Sequence, residues 1–196
     1  MELSDPVAHF DADPDVWVPV PLGFPSERWP TPQAWAARAA ADLAPFWRLD
    51  DLQRADLEHM ALVIASSPTP LPGPVARFWH LPLEPGVSRV VHAYAEPFEP
   101  DWRERIEEWA TDGYEGALFQ RAEPRASEVF GTLVCTSALW PIPGEPGAAA
   151  AVLRVIGALD DMIVVIEVLD ADLSVAARLL EPAVGLAESL RLGPAA

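Results

Sequence analysis

Lysine and asparagine are absent from this 196-residue chain, and cysteine occurs once, at Cys135. All 13 basic residues are therefore arginine, and with abundant alanine and proline this composition is typical of a GC-rich bacterial genome. A single cysteine excludes an internal disulfide. Because Cys135 lies in the strand-like segment TLVCTSALW, we interpret it as a small buried side chain. A chain of this length can form one domain, residues 1–196, with an ordinary core.

An uninterrupted apolar run is also missing. The most apolar stretch, AAAAVLRVIGALDDMIVVIEVL, carries an arginine, two aspartates and a glutamate within the roughly 20 residues that a bilayer crossing needs. Its period of two predicts a hairpin instead, with strands at 150–158 and 162–169 and a turn at the two aspartates. In that register Arg154 lies directly opposite Glu167, and the two charges stabilise each other across the strands.

Basic charge is scarce. The chain has 30 acidic residues against 13 basic ones, a formal net charge of −17. Such a field repels nucleic acid and anionic lipid and favours a basic protein partner. The first residues, MELSDPVAHFDADPD, show neither a basic leader nor an apolar signal segment nor a lipidation motif, so we expect a soluble cytoplasmic protein.

Sequence motifs of catalysis are missing too. The chain contains no GxSxG, no glycine-rich phosphate loop, no HExxH and no CxxC. The acidic pairs have structural roles, since one opens a helix at 50–51 and the other makes the turn at 160–161. We therefore assign no catalytic residue and predict no cofactor.

Proline is dense near the start of the chain, with six prolines between positions 14 and 32. They exclude a helix and predict an extended arm over residues 1–30. Three aromatic residues of this arm, Trp17, Phe24 and Trp29, either seal an edge of the domain's own core or contact a partner, and they are our candidate partner-binding residues. Because a helix follows at once, we favour packing within the chain, and a monomer over a homodimer with exchanged arms.

Capping signals define a helix pair over residues 31–66. Thr31 followed by proline begins the first helix, and Asp50 with Gln53 makes a capping box before the second. Residues 75–196 then alternate in strand-like fashion, with hairpin turns near 84–87 and at 160–161.

Two further helices are predicted within 75–196. A short one begins at Asp101, and a final amphipathic one reaches Leu190 and bends or breaks at Pro182. The prediction is an α+β domain in which a curved antiparallel sheet is flanked by helices, with the C-terminal helix packed on the sheet.

Four polar residues are candidates for a ligand or metal site. If the second hairpin turns near residue 86, His80 and His92 face each other across it, with Tyr94 and Glu96 on the same face. Two imidazoles and a carboxylate can begin a metal site. The alternative is a pair of partly exposed strand histidines with no ligand.

The order of the C-terminal elements resembles the PsbP-like fold family. The segments that carry the resemblance are SEVFGTLVCTSALW, then AAVLRVIGALDDMIVVIEVLDAD, then a long helix ending ESLRL. It covers about the last 70 residues and implies a curved antiparallel sheet whose last strand is followed by the last helix. Members of that family are mostly accessory or binding proteins, often exported or lipidated, and the resemblance carries over no catalytic residue.

Two functions follow from these patterns. The first is a non-catalytic, acidic accessory or adaptor protein that acts by binding another protein. The second is a small-molecule binding module or enzyme that uses the concave face of the sheet.

Overall fold

The computed structural model describes residues 7–81, 89–97, 105–111, 116–142, 144–172 and 174–193. They form an α+β fold, as predicted. In chain order the elements are β1 (Val7–Phe10), β2 (Trp17–Pro19), α1 (Pro32–Trp47), α2 (Asp51–Ser66), β3 (Ala76–His80), β4 (Val90–Pro97), α3 (Ile106–Thr111), β5 (Leu118–Ser127), β6 (Gly131–Pro141), β7 (Ala149–Leu159), β8 (Met162–Asp170), α4 (Val175–Glu188) and β9 (Leu190–Gly193).

Seven strands make one antiparallel sheet in the order β2-β3-β4-β8-β7-β6-β5, which does not close into a barrel. β2 and β5 form its two edges. The proline that ends β2, Pro19, is tolerated because an edge strand leaves one row of backbone groups unpaired. A separate two-stranded sheet joins β1 to β9.

The central hairpin of β7 and β8 has the predicted register. Leu159 pairs with Met162, and Arg154 lies opposite Glu167. Asp160 in the turn has a φ of 52°, a left-handed conformation that aspartate adopts more readily than most residues. Within the described residues no helix combines the length and the apolarity that a bilayer crossing requires.

Each face of the large sheet is covered by different helices. On one side, the α4 face, α4 packs its buried Leu179, Ala183 and Leu186 on the apolar side chains of the central strands. The opposite side, the α1–α3 face, is covered by the helix pair near β3 and by α3 near β6 and β7. The core therefore has two layers, one on each side of the sheet.

The helix pair begins as its capping residues predict. The Thr31 hydroxyl accepts a hydrogen bond from the Ala34 amide at 3.2 Å. Asp50 accepts from the Gln53 amide at 2.9 Å, and the Gln53 side chain accepts from the Asp50 amide at 3.0 Å, which completes the capping box.

The arm packs on its own domain. Trp17 is buried against Phe78 in the core of the α4 face, with ring centroids 6.2 Å apart. Phe24 and Trp29 are half-buried against the helix pair. The aromatic residues of the arm thus contribute to both layers of the core.

The end of the chain differs from the prediction. α4 continues through Pro182 and ends at Glu188, so Leu190 belongs to β9 and pairs with Phe10 of β1. A strand of four residues, whose partner lies at the other end of the chain, carries too little local pattern to be predicted.

β5 was not predicted either. Its sequence, LFQRAEPRAS, is almost wholly exposed at the edge of the sheet, so it lacks the apolar alternation that marks a half-buried strand. The predicted turn at 84–87 and the predicted helix start at Asp101 lie outside the described residues.

Gly157 provides a test of the packing on the α4 face. A Cβ at this position would lie 2.6 Å from both Leu133 Cδ2 and Phe130 Cδ1. We expect Gly157→Ala to lower the free energy of unfolding by about 1–3 kcal/mol, because side chains must shift to admit a methyl group. Urea denaturation measures the change. The control is Gly185→Ala in α4, where nothing lies within 4 Å of the added Cβ and stability should rise by up to about 1 kcal/mol. If Gly157→Ala were as stable as Gly185→Ala, or more stable, the packing around Gly157 would be contradicted.

Candidate functional site

A row of polar side chains crosses the α1–α3 face on five consecutive strands. Strand pairing places each one directly opposite the next, and all five are buried. We call this set the polar row: Arg77 on β3, His92 on β4, Glu167 on β8, Arg154 on β7 and Thr136 on β6. Apolar residues precede and follow it on the same face, so the charges lie inside the core layer.

The centre of the polar row is a buried ion pair. Arg154 Nε donates to Glu167 Oε2 at 2.9 Å, and its Nη2 lies 2.8 Å from the same oxygen. The side chains are 11% and 3% exposed. Removing two charges from water is costly, and this geometry, with two N–H groups on one oxygen, offsets the cost.

Both arginines of the polar row also hold a helix. Arg154 Nη1 donates to the Trp109 carbonyl of α3 at 3.2 Å, and Arg77 Nη1 donates to the Ile64 carbonyl of α2 at 3.0 Å. Carbonyls in the last turn of a helix lack partners within the helix, so a guanidinium satisfies them. The polar row therefore fixes where α2 and α3 meet the sheet.

Between α3 and the segment that follows α2 lies a cavity of about 330 Å³. We call it the row pocket, and its lining combines apolar walls with a few polar groups: Leu71, Pro72, Tyr94, Glu96, Trp109, Arg154, Ile156, Ile163, Val165 and Glu167. A volume of this size is at the lower end of the range for small-molecule sites.

Two oxygen-bearing side chains line the row pocket without an ion pair. The hydroxyl of Tyr94 is buried, and its polar neighbour in the described structure is the Leu71 backbone amide, whose approach falls short of good hydrogen-bond geometry. Burial, followed by the nearby Glu167 carboxylate, raises the pKa of Tyr94 to about 12. Glu96 is exposed at the mouth, and no ion pair joins it to another described residue. The pocket thus offers oxygen atoms that a ligand could engage.

Beside the pocket, His92 is kept neutral. Burial, followed by the charge of Arg77, lowers the pKa of His92 to about 4. Its Nδ1 makes no hydrogen bond within the described part of the chain. At neutral pH the polar row therefore carries two arginines and one glutamate as its charges.

The structure separates the two histidines that the sequence analysis brought together. β3 and β4 pair Arg77 with His92, while the amide of His80 donates to the Arg89 carbonyl at 2.9 Å. His80 therefore faces the α4 side, where its ring lies 5.0 Å from that of Trp17. The prediction that His80 and His92 face each other is wrong, because the register is offset by three residues from the one it assumed.

The other three candidates of that set share the α1–α3 face. His92 lies in the polar row, and Tyr94 and Glu96 line the row pocket. No group of three metal-ligating side chains occurs among the described residues. What the geometry brings together is thus a tyrosine, a carboxylate and a buried ion pair.

The candidate residues of the arm lie elsewhere. Trp17 is buried, whereas Phe24 and Trp29 are half-buried at the helix pair. The guanidinium carbon of Arg28 lies 5.2 Å from the centre of the Trp29 ring. Partner binding by these three residues stays a prediction.

Sequence reasoning missed Arg77, Trp109 and Thr136 as parts of this site. Arg77 gave one usable signal, because an arginine inside the apolar strand ARFWH must find a buried partner. A tryptophan on the apolar face of a short helix, such as Trp109, indicates core packing, and a threonine in a strand carries no signal of its own.

Comparison with known proteins finds likeness among solved structures alone. No protein-family profile and no curated protein matches the sequence. Among solved structures, LpqN of Mycobacterium tuberculosis, described as involved in cell envelope biogenesis, is similar at 10% identity with a TM-score of 0.47. The match covers 97% of this chain and 86% of that one.

The ion pair gives a stability prediction. Glu167→Gln leaves Arg154 buried without its counter-charge, and we expect it to cost about 3 kcal/mol of unfolding free energy. The double variant Arg154→Met with Glu167→Leu should recover most of that loss, because it removes both charges. As a control, Glu181→Gln breaks the exposed pair with Arg125 and should cost less than about 1 kcal/mol. The free energy of unfolding is measured by urea denaturation for the unsubstituted protein and the three variants. A loss in Glu167→Gln no larger than that in the control would contradict the prediction.

The neutral histidines predict a pH dependence. Burial, followed by the charge of Arg89, lowers the pKa of His80 to about 4, as burial does for His92. In the unfolded chain both histidines take up a proton near pH 6.5, whereas in the folded chain they do so only near pH 4. The contribution of these two neutral histidines to the free energy of unfolding is complete above pH 6.5 and is lost as the pH falls towards 4. His92→Gln should flatten the dependence of the urea midpoint on pH in this window. The exposed His59→Gln should leave it unchanged, and an equal effect of both variants would refute the assignment.

Proposed function

We propose that this protein is a non-catalytic accessory protein that binds another protein and uses the row pocket as its recognition site. One observation carries the proposal: a pocket anchored by a buried ion pair presents the buried hydroxyl of Tyr94 beneath the exposed carboxylate of Glu96.

The mouth of the pocket supports a protein partner. Leu71 on its rim is 43% exposed, so an apolar contact and a carboxylate lie side by side. With a net charge of −17, the surface attracts a basic segment and repels nucleic acid and anionic lipid. We propose that the protein acts as a cytoplasmic monomer, with its arm packed on its own helix pair.

The chemistry of the site favours binding over catalysis. General acid–base catalysis works best with a group whose pKa lies near the working pH. The pKa of His92 is lowered to about 4 and that of Tyr94 is raised to about 12, so both side chains are uncharged at pH 7. The Glu167 carboxylate is neutralised by Arg154.

A small molecule is the second candidate occupant. The volume of about 330 Å³ and the apolar walls are those of a site that encloses a ligand of a few heavy atoms. In that case the protein is a binding module whose occupant fills the pocket without an extended contact around the mouth.

Photocrosslinking tests the protein partner. A photoreactive benzoylphenylalanine at position 96 should give a discrete adduct with one partner in the native host. The same group at exposed position 128, in the turn between β5 and β6, should not. Adducts that are identical at both positions, or absent at 96, would argue against recognition of a protein through the row pocket.

A further inference from the structure

We infer that the row pocket receives a cationic head group on an apolar stem, that is, an ammonium or guanidinium ion at the end of an alkyl chain. This inference rests on the proposed function, because it takes the row pocket as the recognition site.

The walls of the pocket suit the stem. Ile156, Ile163 and Val165 lie on adjacent central strands and line one side, and Trp109 with Leu71 contributes apolar surface from α3 and from the segment before β3. An alkyl chain of a few carbons buries its surface there, which supplies most of the attraction for a ligand of this size.

The polar groups of the pocket are acceptors for a cation. Nε and Nη2 of Arg154 both contact Oε2 of Glu167, and a carboxylate has further lone pairs with which to accept from a ligand. The buried Tyr94 hydroxyl, whose polar neighbour in the described structure is the Leu71 backbone amide, has a further lone pair with which to accept a hydrogen bond. The carboxylate of Glu96 lies above them at the mouth.

The only cation that lines the pocket in the described structure is already engaged. Arg154 directs Nε and Nη2 to Glu167 and Nη1 to the Trp109 carbonyl. Two carboxylates against one engaged guanidinium leave the lining with a surplus negative charge. An anionic ligand would be repelled by Glu96, whereas a cationic one compensates that charge and can donate a hydrogen bond to the Tyr94 oxygen.

Three probes of equal length separate the charge from the stem. They are n-hexylammonium, 1-hexanol and hexanoate, titrated into the isotopically labelled full chain at neutral pH while backbone amide shifts of residues 94, 96 and 163–167 are followed. We expect hexylammonium to shift these amides saturably, with an affinity at least about fivefold higher than that of hexanol, and hexanoate to leave them unmoved.

Three variants locate the head group. Glu96→Gln should weaken hexylammonium binding about fivefold and leave hexanol binding unchanged. Tyr94→Phe should weaken it about threefold, through loss of one hydrogen bond. The control Glu128→Gln removes an exposed carboxylate outside the pocket and should have no effect. Thermal denaturation of each variant confirms that the fold is intact.

Two peptides distinguish the sources of the cation. A short acetylated peptide with one lysine between alanines is compared with the same peptide carrying norleucine. If the cation comes from a protein partner, the lysine peptide shifts the pocket amides and competes with hexylammonium. If the site serves a free amine, hexylammonium binds and neither peptide does.

The two proposals fail in different ways. Equal binding of hexanol and hexylammonium, or binding of hexanoate, overturns the inference of a cationic ligand, while the pocket remains a recognition site. No shift with any probe, combined with a specific crosslink from position 96, also overturns the cation and leaves the protein partner in place. No shift and no crosslink overturns both.

Discussion

The buried pair of Arg154 and Glu167 is the constraint on which the arrangement of the sheet depends. It joins the two central strands at a single register, because a slip of one residue would leave the two charges on opposite faces of the sheet, each without its partner. The neighbouring strands then add His92 and Thr136 at the same level. A polar pair that is expensive to bury thereby specifies one pairing out of several that apolar residues alone would tolerate.

The same level of the sheet also determines where the helices lie. Arg77 and Arg154 donate hydrogen bonds to backbone carbonyls of α2 and α3. Two helices that lie over different strands are therefore both positioned by side chains of the polar row. The row pocket lies beside this line of side chains, between α3 and the segment that follows α2. Its acidic oxygens, its engaged guanidinium and its apolar walls follow from that geometry.

The sequence predicted what local chemistry determines. The hairpin of β7 and β8 followed from a turn flanked by alternating residues and one complementary charge pair, and the caps at Thr31 and Asp50 from spacing alone. The relation of His80 to His92 could not be predicted, because it depends on the length of a turn whose residues fit several registers. The exposed β5 was missed since its polarity is that of a loop.

The pairing of β1 with β9 brings together the first and last described elements of the chain. Such a contact closes a loop that contains almost every other residue, so the entropy lost in forming it is recovered only after the large sheet and α4 are in place. Although each strand has only four residues, Leu190 is buried in the core of the α4 face, and the ring of Phe10 lies edge-on to that of Phe78 with centroids 5.6 Å apart. Separating β1 from β9 therefore exposes core side chains as well as two short strands.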